Sequence, residues 1–441
     1  MTQQSEYDDP PSDIESSRTP EDSSSESDYH SDARDVYEKI TSTNFAILCA
    51  GFNDAALGVL IPYIQPFFSI GLLEISYIYL VNFAGGFTAS FLNIHICSRL
   101  GTGGTLVAAI LVQGSGYALM AWAPLFPVFL VAFLLTGFGL ALADAQANSF
   151  TVTVRNSHRW LGILHAVYGV GTILAPLAAN TIASRTPRWQ LYYLIALAMA
   201  VVNASLAAWS FRHNLFKPND ADAKDNAGRE LRDTLTHRAI WFITGFFFLY
   251  AGTEITLGGW LVQFLVAVRH GDPEKVGYVA SIFWSGFTIG RIALADVTHR
   301  FGERRMVYIY ITLALTFQLM FWFIPNIIAN AVSVCLLGRQ GFDEAYTRKE
   351  SDHCSPGFFI GPFYPVGIYV LTEVIPQELH LGAIGFVSSF GSIGCAAFPF
   401  LTGAIASRAG VEVLQPIMIG LLVGMVVFWA LTPRSGRIQL T

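Results

Sequence analysis

The stretch Thr41–Phe68, TSTNFAILCAGFNDAALGVLIPYIQPFF, decides how the rest of the chain is read. It is long enough to cross a bilayer, because about 20 apolar residues rising 1.5 Å each cover the ~30 Å hydrocarbon core. Asn53-Asp54 stands near its middle. A carboxylate at that depth costs about 2.5–3.5 kcal/mol on insertion scales, so it faces a bundle interior or a water-filled cavity. Gly51 and Gly58 flank the pair and Pro62 and Pro66 follow, which predicts a deformable helix. A helix of this kind needs partners, and the remaining sequence supplies them.

Over 441 residues the chain is 53% hydrophobic and only 13% charged, with a mean hydropathy of +0.47. Soluble domains carry about 25% charged residues, so this is an integral membrane protein. The net charge of −6 sits chiefly in the first 35 residues, and nucleic acid is not an expected partner. Four of the five cysteines (Cys49, Cys97, Cys335 and Cys395) lie in apolar segments and one, Cys354, in a polar one. No disulfide framework or metal-ligand spacing emerges, and no cofactor or metal is expected. No cleavable signal peptide is read before the first span.

In chain order, residues 1–37 are rich in Ser, Asp and Glu without apolar periodicity, which predicts a disordered acidic tail. Residues 38–211 hold six apolar spans, 212–237 form a charged linker, and 238–432 hold six more, followed by a short tail, 433–441. Six plus six predicts an all-helical transporter of two six-helix bundles, in which one half moves against the other. If the N-terminus is cytoplasmic, the inner loops and tails carry 17 Lys and Arg against five outside. The positive-inside rule therefore predicts that both termini and the linker are cytoplasmic.

The carboxylates in or near the spans are the informative residues. Asp54 and Asp144 are candidates for proton coupling, which needs a carboxylate that alternates between solvated and desolvated settings. Asn148, four residues after Asp144, shares its helical face. A static hydrogen-bonded tie between helices is the alternative for either carboxylate. His165 and Tyr168 make a polar stripe on the fifth span, where a relay or a satisfied interhelical His are both open. Glu254, on the seventh span, is the counterpart of Asp54, and Trp260 and Gln263 follow it. Carboxylate, aromatic ring and amide suit a polyhydroxylated ligand, with simple packing as the alternative for the ring. Candidate substrate contacts are thus Asn53, Asn148, His165, Tyr168, Glu254, Trp260 and Gln263. The segment GRIALADVTHRFGERR (290–305) places Arg291, Asp296, Arg300, Arg304 and Arg305 around a tight turn, and reads as a gating latch. No nucleotide loop, nucleophile elbow or metal motif is present, so an enzyme is not expected.

These features together resemble the major facilitator superfamily. The 290–305 loop looks like that superfamily's G-R-x-x-D-R-x-G-R-R signature, and GFNDAALGVLIPYIQPFF, ALADAQANSF, LHAVYGVGTILAPL and GGWLVQFLV resemble its fucose-permease-like branch. Within that branch the chain is most similar to fungal members related to the yeast bypass-of-stop-codon proteins. In bacterial permeases of this type, carboxylates on the first and fourth spans serve proton coupling and sugar binding. Asn53-Asp54 and Asp144 match those positions, which implies proton-coupled symport of a small polar solute such as a sugar. The implied partners are that solute, protons and the lipid bilayer, for a monomer in the plasma membrane. The matching loop of the first half, CSRLGTGGT, keeps only Arg99 of the charges, a departure that bears on gating. A non-transporting nutrient receptor that signals through its acidic tail is the alternative from another class.

A second departure splits the tenth span. NAVSVCLLG (330–338) and FFIGPFYPVGIYVL (358–371) would join into one helix, but 339–357 (RQGFDEAYTRKESDHCSPG) inserts 19 residues with seven charges. Burying those charges would cost roughly 20 kcal/mol, so the insertion stays out of lipid or breaks the helix. A retained intron or a gene-model error accounts for this more simply than a genuine loop, and would make the product defective. Transcript sequencing is expected to show spliced reads joining Gly338 to Phe358; uniform read-through would establish a genuine loop.

Overall fold

The computed structural model describes residues 20–122, 125–215, 234–323, 357–376 and 379–433. Every regular element among them is helical. Helices α1 (Pro20–Asp54) and α2 (Leu57–Phe68) form one crossing bent by 46°. The break at Ala55-Ala56 follows directly on Asn53-Asp54. Pro62, inside α2, has no N–H to give the carbonyl four residues back, and its ring crowds that carbonyl. The chain tightens one turn earlier, where Val59 N reaches Ala56 O at 3.2 Å. The helix expected to be deformable is broken beside the carboxylate.

Helix α3 (Leu72–Trp122) spans 51 residues, or about 76 Å at 1.5 Å per residue, more than two bilayer cores. Gly101 interrupts it with φ 69° and ψ 175°, a left-handed φ that glycine alone adopts freely. It therefore contributes the expected second and third crossings. The remaining helices are α4 (Phe126–Thr153), α5 (Ser157–Arg185), α6 (Leu191–Ser210), α7 (Arg238–Ala267), α8 (Pro273–Phe301), α9 (Glu303–Phe323), α10 (Gly357–Ile360), α11 (Phe363–Val374), α12 (His380–Ala409) and α13 (Leu414–Leu431). Among the described residues, nine helices are long and apolar enough to cross a membrane, and the bent α1–α2 pair is a tenth. Dividing α3 at Gly101, and adding the short apolar segment Phe358–Val374, accounts for the twelve crossings expected.

The tail differs from expectation. Helix α1 already begins at Pro20, so the part of 1–37 from that residue onward is helical. Proline suits the first helical position, where its missing N–H would have no partner within the helix. Arg34–Glu38 and Lys39–Asp35 then pair at four-residue spacing. Residues 1–19, most of the linker and nearly all of the insertion at 339–357 lie outside the described residues.

An even number of crossings in each half puts the start of α1, the end of α13 and the described ends of the linker, 212–215 and 234–237, at the same end of the molecule. At the opposite, far end the two halves are sealed together. A Cβ added to Gly58 of α2 would lie 2.3 Å from the Gly258 carbonyl oxygen of α7. One added to Gly259 would lie 2.2 Å from the Tyr79 hydroxyl of α3. Such close approach is open only to positions that carry no side chain. Asn180 Nδ2 of α5 donates to Glu274 O of α8 at 2.6 Å, and Thr181 and Tyr278 share a hydrogen bond of 3.2 Å beside it.

Gly58→Leu should therefore hold the far end open. An Asn180→Cys/Gly277→Cys pair has its Cβ atoms within disulfide reach, since a Cβ on Gly277 would lie 2.3 Å from Asn180 Cγ; it is expected to cross-link readily in an otherwise unaltered chain, and to lose most of that cross-linking when Gly58→Leu is added.

Candidate functional site

The site is built from two hydrogen-bonded clusters, one in each half, that face each other at the depth of the α1–α2 break. In the first half, Asn53 Nδ2 donates to Asp54 Oδ1 at 3.0 Å, and the Tyr168 hydroxyl of α5 donates to Asp54 Oδ2 at 2.9 Å. The Tyr117 hydroxyl of α3 donates to Asn53 Oδ1 at 3.1 Å and itself accepts from Gln113 Nε2 at 2.9 Å. Tyr192 of α6 holds the last turn of α1 by donating to Phe52 O and stacking on the Phe52 ring at 5.1 Å. Asp54 is thus half-buried with both oxygens accepting, the arrangement an ionised carboxylate needs inside a bundle.

In the second half, Arg291 of α8 donates through Nη2 to the Tyr250 hydroxyl at 3.2 Å and through Nε to Gly361 O at 3.3 Å. Its guanidinium lies over the Phe287 ring, 4.7 Å from the centroid. Tyr250 lies between Arg291 and Glu254 and interacts with both, and Glu254 is within electrostatic reach of Arg291 and of Asp54. His165 of α5 packs against Tyr364 of α11, with ring centroids 6.0 Å apart, and Tyr364 hydrogen-bonds Ser388 of α12 at 3.2 Å.

Asp144 is exposed although it lies nine residues inside the end of α4. Asn148 Nδ2 donates to it at 3.0 Å, so the predicted shared face holds. With the far end sealed, that exposure opens toward the end that carries the linker. Three carboxylates (Asp54, Asp144 and Glu254) thus share one neighbourhood with the Arg291 guanidinium.

The structure redistributes several of the predicted residues. Asn53, Asp54, Tyr168 and Glu254 come together, with His165 beside them and the Asp144–Asn148 pair at the open side. Trp260 does not present a stacking face. It is fully buried in the far-end packing, where Nε1 donates to Pro399 O at 3.0 Å and the ring lies 6.2 Å from that of Tyr79. Gln263, one turn further along α7, is half-buried, and its Oε1 is buried without a hydrogen-bond partner among the described residues. Arg291 is not part of a latch, because ten residues of helix, about 15 Å, separate it from the turn at Gly302. Asp296, Arg300 and Arg305 are exposed and form no ion pair among the described residues. Arg304 instead holds the end of α13, donating to Thr432 O at 3.0 Å and to Pro433 O. The expected latch becomes a corner brace within one half.

Gln113, Tyr117, Tyr364 and Ser388 are site residues that sequence reasoning did not single out. The available signal was their polarity inside apolar spans, and for Gln113 and Tyr117 the four-residue spacing. Arg291→Gln should strand Glu254 and lower stability by about 1–3 kcal/mol, while adding Glu254→Gln should recover part of that loss. Thermal unfolding of both variants in detergent tests this, and simple additivity would show the two side chains to be uncoupled.

Comparison with known proteins agrees with this architecture. Residues 43–342 match the family profile of the Major Facilitator Superfamily. The chain is 27% identical over 413 residues to Bypass of stop codon protein 6 of Saccharomyces cerevisiae, covering 87% of this chain and 80% of that protein. It is 23% identical to a glucose/galactose transporter of Brucella abortus (strain 2308), covering 86% and 90% of the two chains. A crystal structure of a variant of the E. coli fucose:proton symporter, FucP, superposes with a TM-score of 0.58 at 16% identity, over 90% of this chain and 98% of that one. The chain is a multi-pass integral membrane transporter rather than an enzyme, and it belongs to the Major Facilitator Superfamily.

Proposed function

We propose that this transporter is a proton-coupled symporter of a small polar solute, a sugar being the best-supported class. The observation that carries the proposal is the position of Asp54. It accepts hydrogen bonds from Asn53 and Tyr168 at the point where α1 breaks into α2, and α2 is the element that seals the far end against α7. A proton taken up by Asp54 converts one of its oxygens from acceptor to donor, so the bonds that fix the break must rearrange. The same helix then transmits that change to the seal. Only a difference in affinity between the two states can drive such a switch, and the Asp54 network is a group whose bonding differs with protonation.

Glu254, Tyr250, Arg291 and Tyr168 provide donors and acceptors for a polyhydroxylated solute between the halves, with His165 and the Asp144–Asn148 pair on the path to the open end. The glucose/galactose transporter and the fucose:proton symporter among the similar proteins support this choice of solute and of coupling ion. With both termini on the cytoplasmic side, as the Lys and Arg distribution indicates, this conformation is inward-open, and the plasma membrane is the compartment in which a proton gradient would drive uptake.

Asp54→Asn mimics the protonated side chain and should abolish acid-driven uptake of labelled hexoses in proteoliposomes, by tenfold or more, while leaving solute exchange measurable. Unchanged acid-driven uptake by this variant would refute Asp54 as the coupling site.

A further inference from the structure

The hydrogen bonds behind Asp54 have a direction. Gln113 Nε2 donates into the Tyr117 hydroxyl oxygen, so the single hydroxyl proton of Tyr117 goes to its other neighbour, Asn53 Oδ1. That bond fixes which end of the Asn53 amide faces Asp54. The oxygen is held by Tyr117, and the NH2 points at Asp54 Oδ1. Tyr168 donates to the other carboxylate oxygen, so every neighbour bonded to Asp54 acts as a donor. Such a set suits the ionised side chain, and a proton on Asp54 finds an acceptor there only if the Tyr168 hydroxyl turns its own proton elsewhere.

Tyr117 and Gln113 are 3% and 2% exposed, so neither reaches a solute directly. We propose that Tyr117 and Gln113 are positioning residues that lock the orientation of the Asn53 amide and thereby set the pH at which Asp54 is protonated. Without the Tyr117 hydroxyl, the Asn53 amide can turn end for end and offer its oxygen to a protonated Asp54. No proton passes through this chain; it acts by deciding which protonation state the amide accommodates. The other ionisable groups around Asp54 come from every neighbouring helix. They are Asp144 on α4, Tyr168 on α5, Tyr192 on α6, Glu254 on α7 and Cys395 on α12; Cys49 on α1 and Tyr193 on α6 lie by Tyr117, and Arg291 on α8 lies by Glu254 and Tyr168. None of them contacts the Asn53 oxygen, which belongs to Tyr117 alone among the hydrogen bonds described. The inference rests on the reading of Asp54 as a protonation site, but its test does not require flux.

The test is a difference-infrared pH titration of the full chain in lipid bilayers, following the carboxylic C=O band of Asp54, identified by its absence in Asp54→Asn. Tyr117→Phe is expected to move the titration of that band upward by about one pH unit, a tenfold change in proton affinity. Gln113→Leu should shift it in the same direction by less, since the Tyr117 hydroxyl remains but is no longer constrained. Titration of the band at the wild-type pH in both folded variants would overturn the proposal, and so would the absence of any titrating Asp54 band in the wild type. If Tyr117→Phe fails to fold, Gln113→Leu decides; failure of both to fold would make the pair structural and overturn it as well. Acid-driven uptake retained by Asp54→Asn would instead remove the symport reading and leave the infrared result to judge the positioning role.

Discussion

The structure depends on the accommodation of one carboxylate, Asp54, within a helix that crosses a hydrocarbon medium. An ion there has no bulk water to solvate it, so its hydrogen bonds must come from the protein. Asn53 and Tyr168 supply them directly, Tyr117 and Gln113 hold Asn53, and Tyr192 holds the turn that carries the pair. Helices α3, α5 and α6 of the first half are thus committed to one side chain on α1. The helix itself gives way at the same place, breaking by 46° one residue beyond the carboxylate. Polar need and backbone break are coupled in place, because Tyr192 holds the last turn of α1 beside Asp54 and Pro62 ends the regular bonding just beyond it.

That coupling reaches the far end through α2. The seal there is made by close approach of backbones at Gly58 and Gly258-Gly259, with the Tyr79 ring set into the space that a side chain on Gly259 would occupy. Close packing of this kind is short-ranged, so a small displacement of α2 removes most of its attraction. Within the seal, the Tyr79 hydroxyl, Trp284 Nε1 and Asn180 Oδ1 have no hydrogen-bond partner among the described residues. Each unsatisfied buried polar atom costs about 1–3 kcal/mol, which offsets part of the packing gain. A seal balanced in this way suits an element that must both close and release.

Much of the fold was legible because its determinants are local. Apolar length marked the crossings, GRIALADVTHRFGERR marked a tight turn that falls at Gly302, and Asn53-Asp54 with its flanking Gly and Pro residues marked a deformable helix without any knowledge of its partners. The site was legible only in part. Tyr168 was found through its helical spacing from His165 and Glu254 as a carboxylate within a span, but Gln113 and Tyr117 were overlooked because their importance lies in what they touch on α1. Arg291 was misassigned for the same reason. Its neighbours in sequence suggested a loop latch, whereas its depth along α8 carries it to Tyr250 and Gly361. Trp260 shows the opposite error, in which a ring type suited to sugars is consumed by packing.

The sequence by itself determined that this chain spans a membrane many times, that it divides into two six-span halves, and that a few acidic residues stand within the spans. Those conclusions rest on transfer free energies, which belong to single residues and short segments. Only the tertiary structure decided which acids share a neighbourhood, which end of the Asn53 amide faces Asp54, and which side of the molecule is closed. Those properties depend on contacts between residues far apart in the chain, such as Tyr168 with Asp54 and Asn180 with Glu274. The helices bring them together through side-chain packing, and no local pattern records that packing.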